Sequence, residues 1–109
     1  MTFDMNKMLQ EAQRMQAELA KAQEEAANEV VEASSGGGMV TVRANGAGEV
    51  LAIAIDPKAI DPDDPELLAD LVLAAVNEAL RSARSLMESK MAGLIPGDLG
   101  GLGGLLPGS

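Results

Sequence analysis

Three groups of residues in this 109-residue chain have types and spacings that could do chemistry. Gly36-Gly37-Gly38 could cradle a phosphate on backbone N–H groups. A phosphate loop of that kind continues into Lys-Ser or Lys-Thr at the start of a helix. Here Met39-Val40-Thr41-Val42 follows, which reads as a strand. A dinucleotide fingerprint, with glycines between a strand and a helix, fails for the same reason. The glycines are therefore expected to form a plain hairpin connection. Asp61, Asp63, Asp64 and Glu66 could hold a hard cation. A calcium loop starting at Asp61 would need Gly at its sixth position and Glu at its twelfth, where this chain has Glu66 and Val72. Helix capping explains the acidic cluster better. The third group is Lys7, Arg14 and Lys21, seven residues apart, accompanied by Glu11, Glu18 and Glu25 at the same interval. On a helix this is either a self-compensating solvated surface or a line of cations roughly 10.5 Å apart that can meet phosphates.

What is missing narrows the chemistry further. The chain has no histidine and no cysteine. It thus lacks the commonest general base and metal ligand, disulfides and thiolate nucleophiles. Seven methionines read as core and seam filling, not as a cofactor box. The expectation is a protein that is not an enzyme, with no cofactor and no metal. Net charge is −9, from 17 acidic and 8 basic residues. By itself that opposes long-range attraction to nucleic acid. Met1-Thr2-Phe3-Asp4-Met5 has no basic segment ahead of an apolar run. No stretch approaches the roughly 18 apolar residues of a membrane span. A cytoplasmic chain with no membrane partner is expected.

These groups need elements to position them. Residues from about Asp4 to Glu29 lack Gly, Pro and β-branched side chains and predict one helix, with Thr2 or Asp4 as N-cap. Met5, Met8, Ala12, Met15, Leu19, Ala22 and Ala26 alternate by 3 and 4, the spacing of a heptad seam. Val30–Ala33 and Met39–Ala44 predict two strands. Asn45-Gly46-Ala47-Gly48 predicts a tight turn in which Asn-Gly takes positive φ. Glu49–Ile55 predicts a third strand, apolar on both faces and so expected to be central and covered. Asp64 and Pro65 open a second helix that runs to about Met91. Leu68, Leu71, Val72, Ala75, Val76, Ala79, Ala83 and Leu86 form its apolar face, and Arg81, Arg84 and Lys90 lie in its C-terminal half. Residues 1–92 are expected to form the domain. Residues 93–109, rich in Gly and Leu, are expected to be a flexible tail.

Strands of about six residues span roughly 20 Å, whereas the first helix is roughly 38 Å long. Such a sheet cannot cover such a helix, and its edges stay open to a second copy. A symmetric homodimer, with sheets at the centre and helices as arms, is the expected solution.

Three stretches together resemble the YbaB/EbfC family of bacterial nucleoid-associated DNA-binding proteins. They are Met8-Leu9-Gln10-Glu11-Ala12-Gln13-Arg14-Met15-Gln16 with Lys21-Ala22-Gln23-Glu24-Glu25; Ser35-Gly36-Gly37-Gly38-Met39-Val40-Thr41-Val42 with Asn45-Gly46 and Ile53-Ala54-Ile55-Asp56-Pro57; and Leu68 through Ala79. The resemblance implies an α+β fold, helix, three-stranded antiparallel sheet, helix, in a tweezer-like homodimer with projecting helices. It implies binding of double-stranded DNA in the nucleoid without enzymatic activity, with effects on gene expression or DNA repair. On this chain the matching cations are Lys7, Arg14 and Lys21, joined by Arg81 and Arg84. The alternative is a dimeric adaptor that grips a replication or recombination protein through its heptad helices. With Phe3 as the lone aromatic residue, base stacking is a poor prospect. Nothing in the chain resembles a helix-turn-helix or zinc finger.

Overall fold

The computed structural model describes residues 4–94. The element order is α1 (Met5–Asn28), β1 (Val30–Ser35), β2 (Val40–Asn45), β3 (Val50–Ile55), a 3-10 turn (Pro57–Ala59) and α2 (Pro65–Ala92). The strands form one antiparallel sheet in the order β1-β2-β3. The expected tail lies almost wholly outside the described residues.

Capping sets where each helix starts. Asp4 accepts from the Lys7 amide at 3.2 Å, which selects Asp4 over Thr2. Asp64 accepts from the Leu67 amide at 3.2 Å, with Pro65 at the first helical position. The rest of the acidic segment is also spent on backbone. Asp61 accepts from the Asp63 amide and Asp56 from the Lys58 amide, each at 2.9 Å. Among the described residues, no group of three or more carboxylates gathers as a metal site.

Antiparallel register puts Val31, Ala33, Val40, Val42 and Ala44 on the sheet face that α2 covers. Leu68, Leu71, Val72, Ala75, Val76 and Ala79 meet them from the helix. Ala75, Ala79 and Ala83 are fully buried, so alanine spacing lets α2 lie close to the strands. The core is thin. Val40 and Val42 are its largest fully buried side chains, each contributing about 1.5–3 kcal/mol by burial.

Two expectations about the sheet are corrected. The third strand is neither central nor covered. β2 is central, β3 is an edge, and all six β3 residues are exposed. Because Val40 pairs with Ile55 and Val42 with Ile53, both isoleucines share the core face, but α2 sits over β1 and β2 and leaves them 39% and 46% exposed. The reading of Asn45-Gly46 also changes. Neither residue takes positive φ, and within this turn only Gly48 does, at 84°. Asn45 is buried at the end of β2, where its Oδ1 accepts from the Ala47 and Glu49 amides at 3.0 and 3.1 Å. Gly46 serves close approach. Its amide donates to the Ala26 carbonyl at 2.9 Å, and a Cβ there would collide with that carbonyl.

The other turn is tighter than a generic connection. Gly36, Gly37 and Gly38 all have positive φ, at 62°, 70° and 96°. β1 extends two residues past expectation to Ser35, whose hydroxyl donates to the Leu71 carbonyl at 2.6 Å and ties this end of the sheet to α2.

Candidate nucleic-acid interface

The site is built on α1. Only Ala22 and Ala26 of this helix are buried, and both belong to the heptad seam. They mark the side by which the helix docks onto the β2–β3 turn and α2. At 3.6 residues per turn, Lys7, Arg14 and Lys21 lie about 130° around the helix from that seam. All three side chains are exposed on the far side. Lys7 and Arg14 flank a shallow groove on α1 with Gln10 and Glu11, and Lys21 continues the row toward the base of the helix.

Ion pairing separates the five candidate cations. Arg14 Nε stands 4.0 Å from Glu18, an exposed contact at the limit of pairing. Arg81 is held by Glu78 through Nη2 at 2.6 Å and Nε at 3.1 Å, so much of its charge is met locally. Among the described residues, Lys7, Lys21 and Arg84 have no carboxylate within 4.0 Å. Arg84 sits on α2 beside the β2–β3 turn, where it lines an open cavity of about 380 Å³ with Gly46, Ala47, Gly48, Leu80 and Met87. It therefore stands at the base of the α1 arm, apart from the α1 row.

The pairings of two further cations escaped sequence reasoning because their partners are distant in the chain. Arg43 pairs with Glu32 at 2.9 Å across β1 and β2, on the sheet face opposite α2. Lys90 Nζ stands 2.7 Å from Glu29, tying the end of α2 to the end of α1. The hydrogen bond to Glu29 raises the Lys90 pKa. Partial desolvation opposes the shift, and the charges of Glu29 and Glu25 add to it.

Chemically, the exposed cations of this arrangement can neutralise phosphates. The exposed cations are spaced along a rod, and no described helix is long and apolar enough to cross a membrane.

The chain is similar to known proteins over most of its length. The YbaB/EbfC DNA-binding family matches residues 1–99. A nucleoid-associated protein of Saccharopolyspora erythraea is 50% identical, covering 96% of this chain and 93% of its own length. One from Streptomyces griseus is 50% identical, over 94% and 89%. One from Thermoanaerobacter pseudethanolicus is 50% identical, over 87% and 86%. The crystal structure of an uncharacterised protein from Helicobacter pylori shares the fold, with a TM-score of 0.76 at 22% identity, covering 87% of this chain and all of that one.

Proposed function

The chain belongs to the YbaB/EbfC DNA-binding family of nucleoid-associated proteins, and from that premise we propose that it binds double-stranded DNA as a homodimer, largely without sequence preference. The observation that carries this reading is the row Lys7, Arg14 and Lys21, exposed on α1 away from its buried alanines. Arg84 adds a contact at the base of the arm, and Arg81 contributes less because Glu78 already holds it. Binding of this kind organises the nucleoid and acts on gene expression or DNA repair through occupancy of the duplex.

The homodimer rests on β3. Natural sheets blunt their edges with charge, proline or bulges. Val50-Leu51-Ala52-Ile53-Ala54-Ile55 contains no charged residue and no proline, and it is exposed throughout. A second copy pairing or packing there covers Ile53 and Ile55.

Charge limits the mode. A dimer carries −18, twice −9, so contact is confined to the cationic rows while the acids face away. Six α1 cations on phosphates give a slope of log affinity against log salt of about −5. Duplex binding across a salt series tests this. No association even at very low salt defeats it.

The second reading, an adaptor for a replication or recombination protein, is favoured by the exposed apolar residues of α1. Reversing the charge of Lys7, Arg14 and Lys21 separates the two. It abolishes a phosphate contact and spares a grip made through the seam.

A further inference from the structure

The charges of α1 are confined to one side of the helix. At about 100° per residue, every charged side chain from Lys7 to Glu25 lies about 100–180° around the helix from Ala12. The opposite side carries Met5, Met8, Leu9, Met15, Gln16 and Leu19, each within about 60° of Ala12. An apolar side this wide on a helix is one that another surface covers.

The described part of the same chain does not cover it. Only Ala22 and Ala26, near the base of α1, are buried. Met5, Met8, Leu9 and Met15 are 56–65% exposed, Leu19 is 40% exposed, and Ala12 is exposed among them. Met5, Met8, Leu9 and Ala12 line one apolar depression.

The pattern on this side reads alike in both directions from Ala12. Met5 and Leu19 stand seven residues before and after it, Met8 and Gln16 four, Leu9 and Met15 three. A two-fold axis at Ala12 therefore brings an antiparallel copy into register with itself. Met5 comes beside Leu19 of the second copy, Met8 beside its Met15, and alanine faces alanine. A contact between identical surfaces requires such self-matching, and a foreign partner does not. The small side chain at the centre lets the two helix axes approach closely. The flexible methionines on either side fill irregular gaps. Glu11, about 100° from Ala12, borders this contact without entering it, so no charge loses its water there.

We propose that α1 pairs with α1 of a second copy, antiparallel and crossing at Ala12. Lys7, Arg14 and Lys21, about 140–180° from Ala12, then lie on the outer sides of the pair. Where β3 already joins two chains, this contact joins one dimer to another. Paired arms then hold two duplexes, a consequence that rests on the duplex binding proposed above. The arm contact itself does not.

The native chain has no cysteine, so an engineered one in the full chain reports directly. Under mild oxidation, the Ala12→Cys variant should form an interchain disulfide about tenfold faster than the Gln10→Cys variant, because pairing raises effective concentration. Gln10 lies about 160° around the helix from Ala12. The ratio should persist in an Ile53→Lys background, which separates the arm contact from the β3 contact. Equal rates overturn the proposal, whether the seam is then bare or taken by another partner. Ala12→Glu should halve the mass of the largest species in a sedimentation series over concentration, with the helical circular dichroism unchanged. An unchanged mass overturns it as well. Ala12→Glu should also keep binding to one duplex and lose capture of a second, labelled duplex on beads that carry the first. Capture that survives the substitution overturns the bridging. A parent protein that binds no duplex defeats duplex binding alone, and the disulfide ratio still decides the arm contact.

Discussion

The Gly46 amide donates to the Ala26 carbonyl at 2.9 Å, and the same carbonyl occupies the space that a Gly46 side chain would need. This contact seats α1 on the β2–β3 turn. Gly46→Ala should cost about 1–3 kcal/mol, the usual range for forcing an extra methyl into a packed site. Gly37→Ala meets open space and should cost only the left-handed backbone penalty, about 1–2 kcal/mol. Urea unfolding of both variants is the check, with a separate probe on α1. Loosening of α1 by Gly37→Ala and not by Gly46→Ala would contradict the assignment.

Asn45 should behave as a buried structural residue. Asn45→Ala strands the Ala47 and Glu49 amides that now donate to its Oδ1. The expected loss is about 0.5–1.5 kcal/mol, the net worth of a typical intramolecular hydrogen bond, because both amides belong to exposed residues. Asn45→Asp keeps the acceptor and should lose less. Thermal melts of the two variants against the parent decide it.

Charge reversal should rank the cations. Lys7→Glu and Lys21→Glu should each weaken duplex binding and flatten its salt dependence, by about one unit of slope for each phosphate left without its cation. Arg84→Glu should weaken binding more than Arg81→Glu, because Glu78 already neutralises Arg81. Mobility shifts on one duplex at several salt concentrations give the order.

Ile53→Lys should halve the solution mass and leave the protomer folded. Ile53 is 46% exposed in the single chain, so a lysine there is tolerated unless a second copy covers it. Light scattering beside circular dichroism reads both effects. An unchanged mass places the dimer contact elsewhere.

The Lys90–Glu29 tie predicts a pH dependence. The Lys90 pKa is raised above the ordinary 10.5. Its contribution is therefore fully present below that value and is lost as pH rises through the folded-state pKa. Lys90→Met should lower the melting temperature at pH 7, and the difference from the parent should shrink above about pH 10.5. A constant difference from pH 7 to 11 would remove the ion pair as its cause.

The elements were legible because their signals are local. Three-and-four spacing marks α1, Asp64-Pro65 opens α2, and β-branched residues mark β2. The edge position of β3 was not legible. A strand that is apolar on both faces reads alike whether a neighbour of the same chain or of another chain covers it. The role of Gly46 was hidden for a related reason, since what it needs is room for Ala26, twenty residues earlier in the chain. At the candidate interface the row Lys7, Arg14 and Lys21 follows from periodicity alone. The pairing of Lys90 with Glu29 and of Arg43 with Glu32 depends on how α2 crosses the sheet and on strand register, which no local pattern records.

The narrow seat of α1 has a mechanical consequence. The helix is about 36 Å long and is seated at its last turns, where Ala22 and Ala26 are buried, Gly46 meets Ala26 and Lys90 reaches Glu29. It is a lever with a short fulcrum. A pivot of about 10° at the base carries the tip of such a rod through about 6 Å, nearly the rise of two base pairs. Small adjustments where Ala26 meets Gly46 therefore become much larger displacements at Lys7.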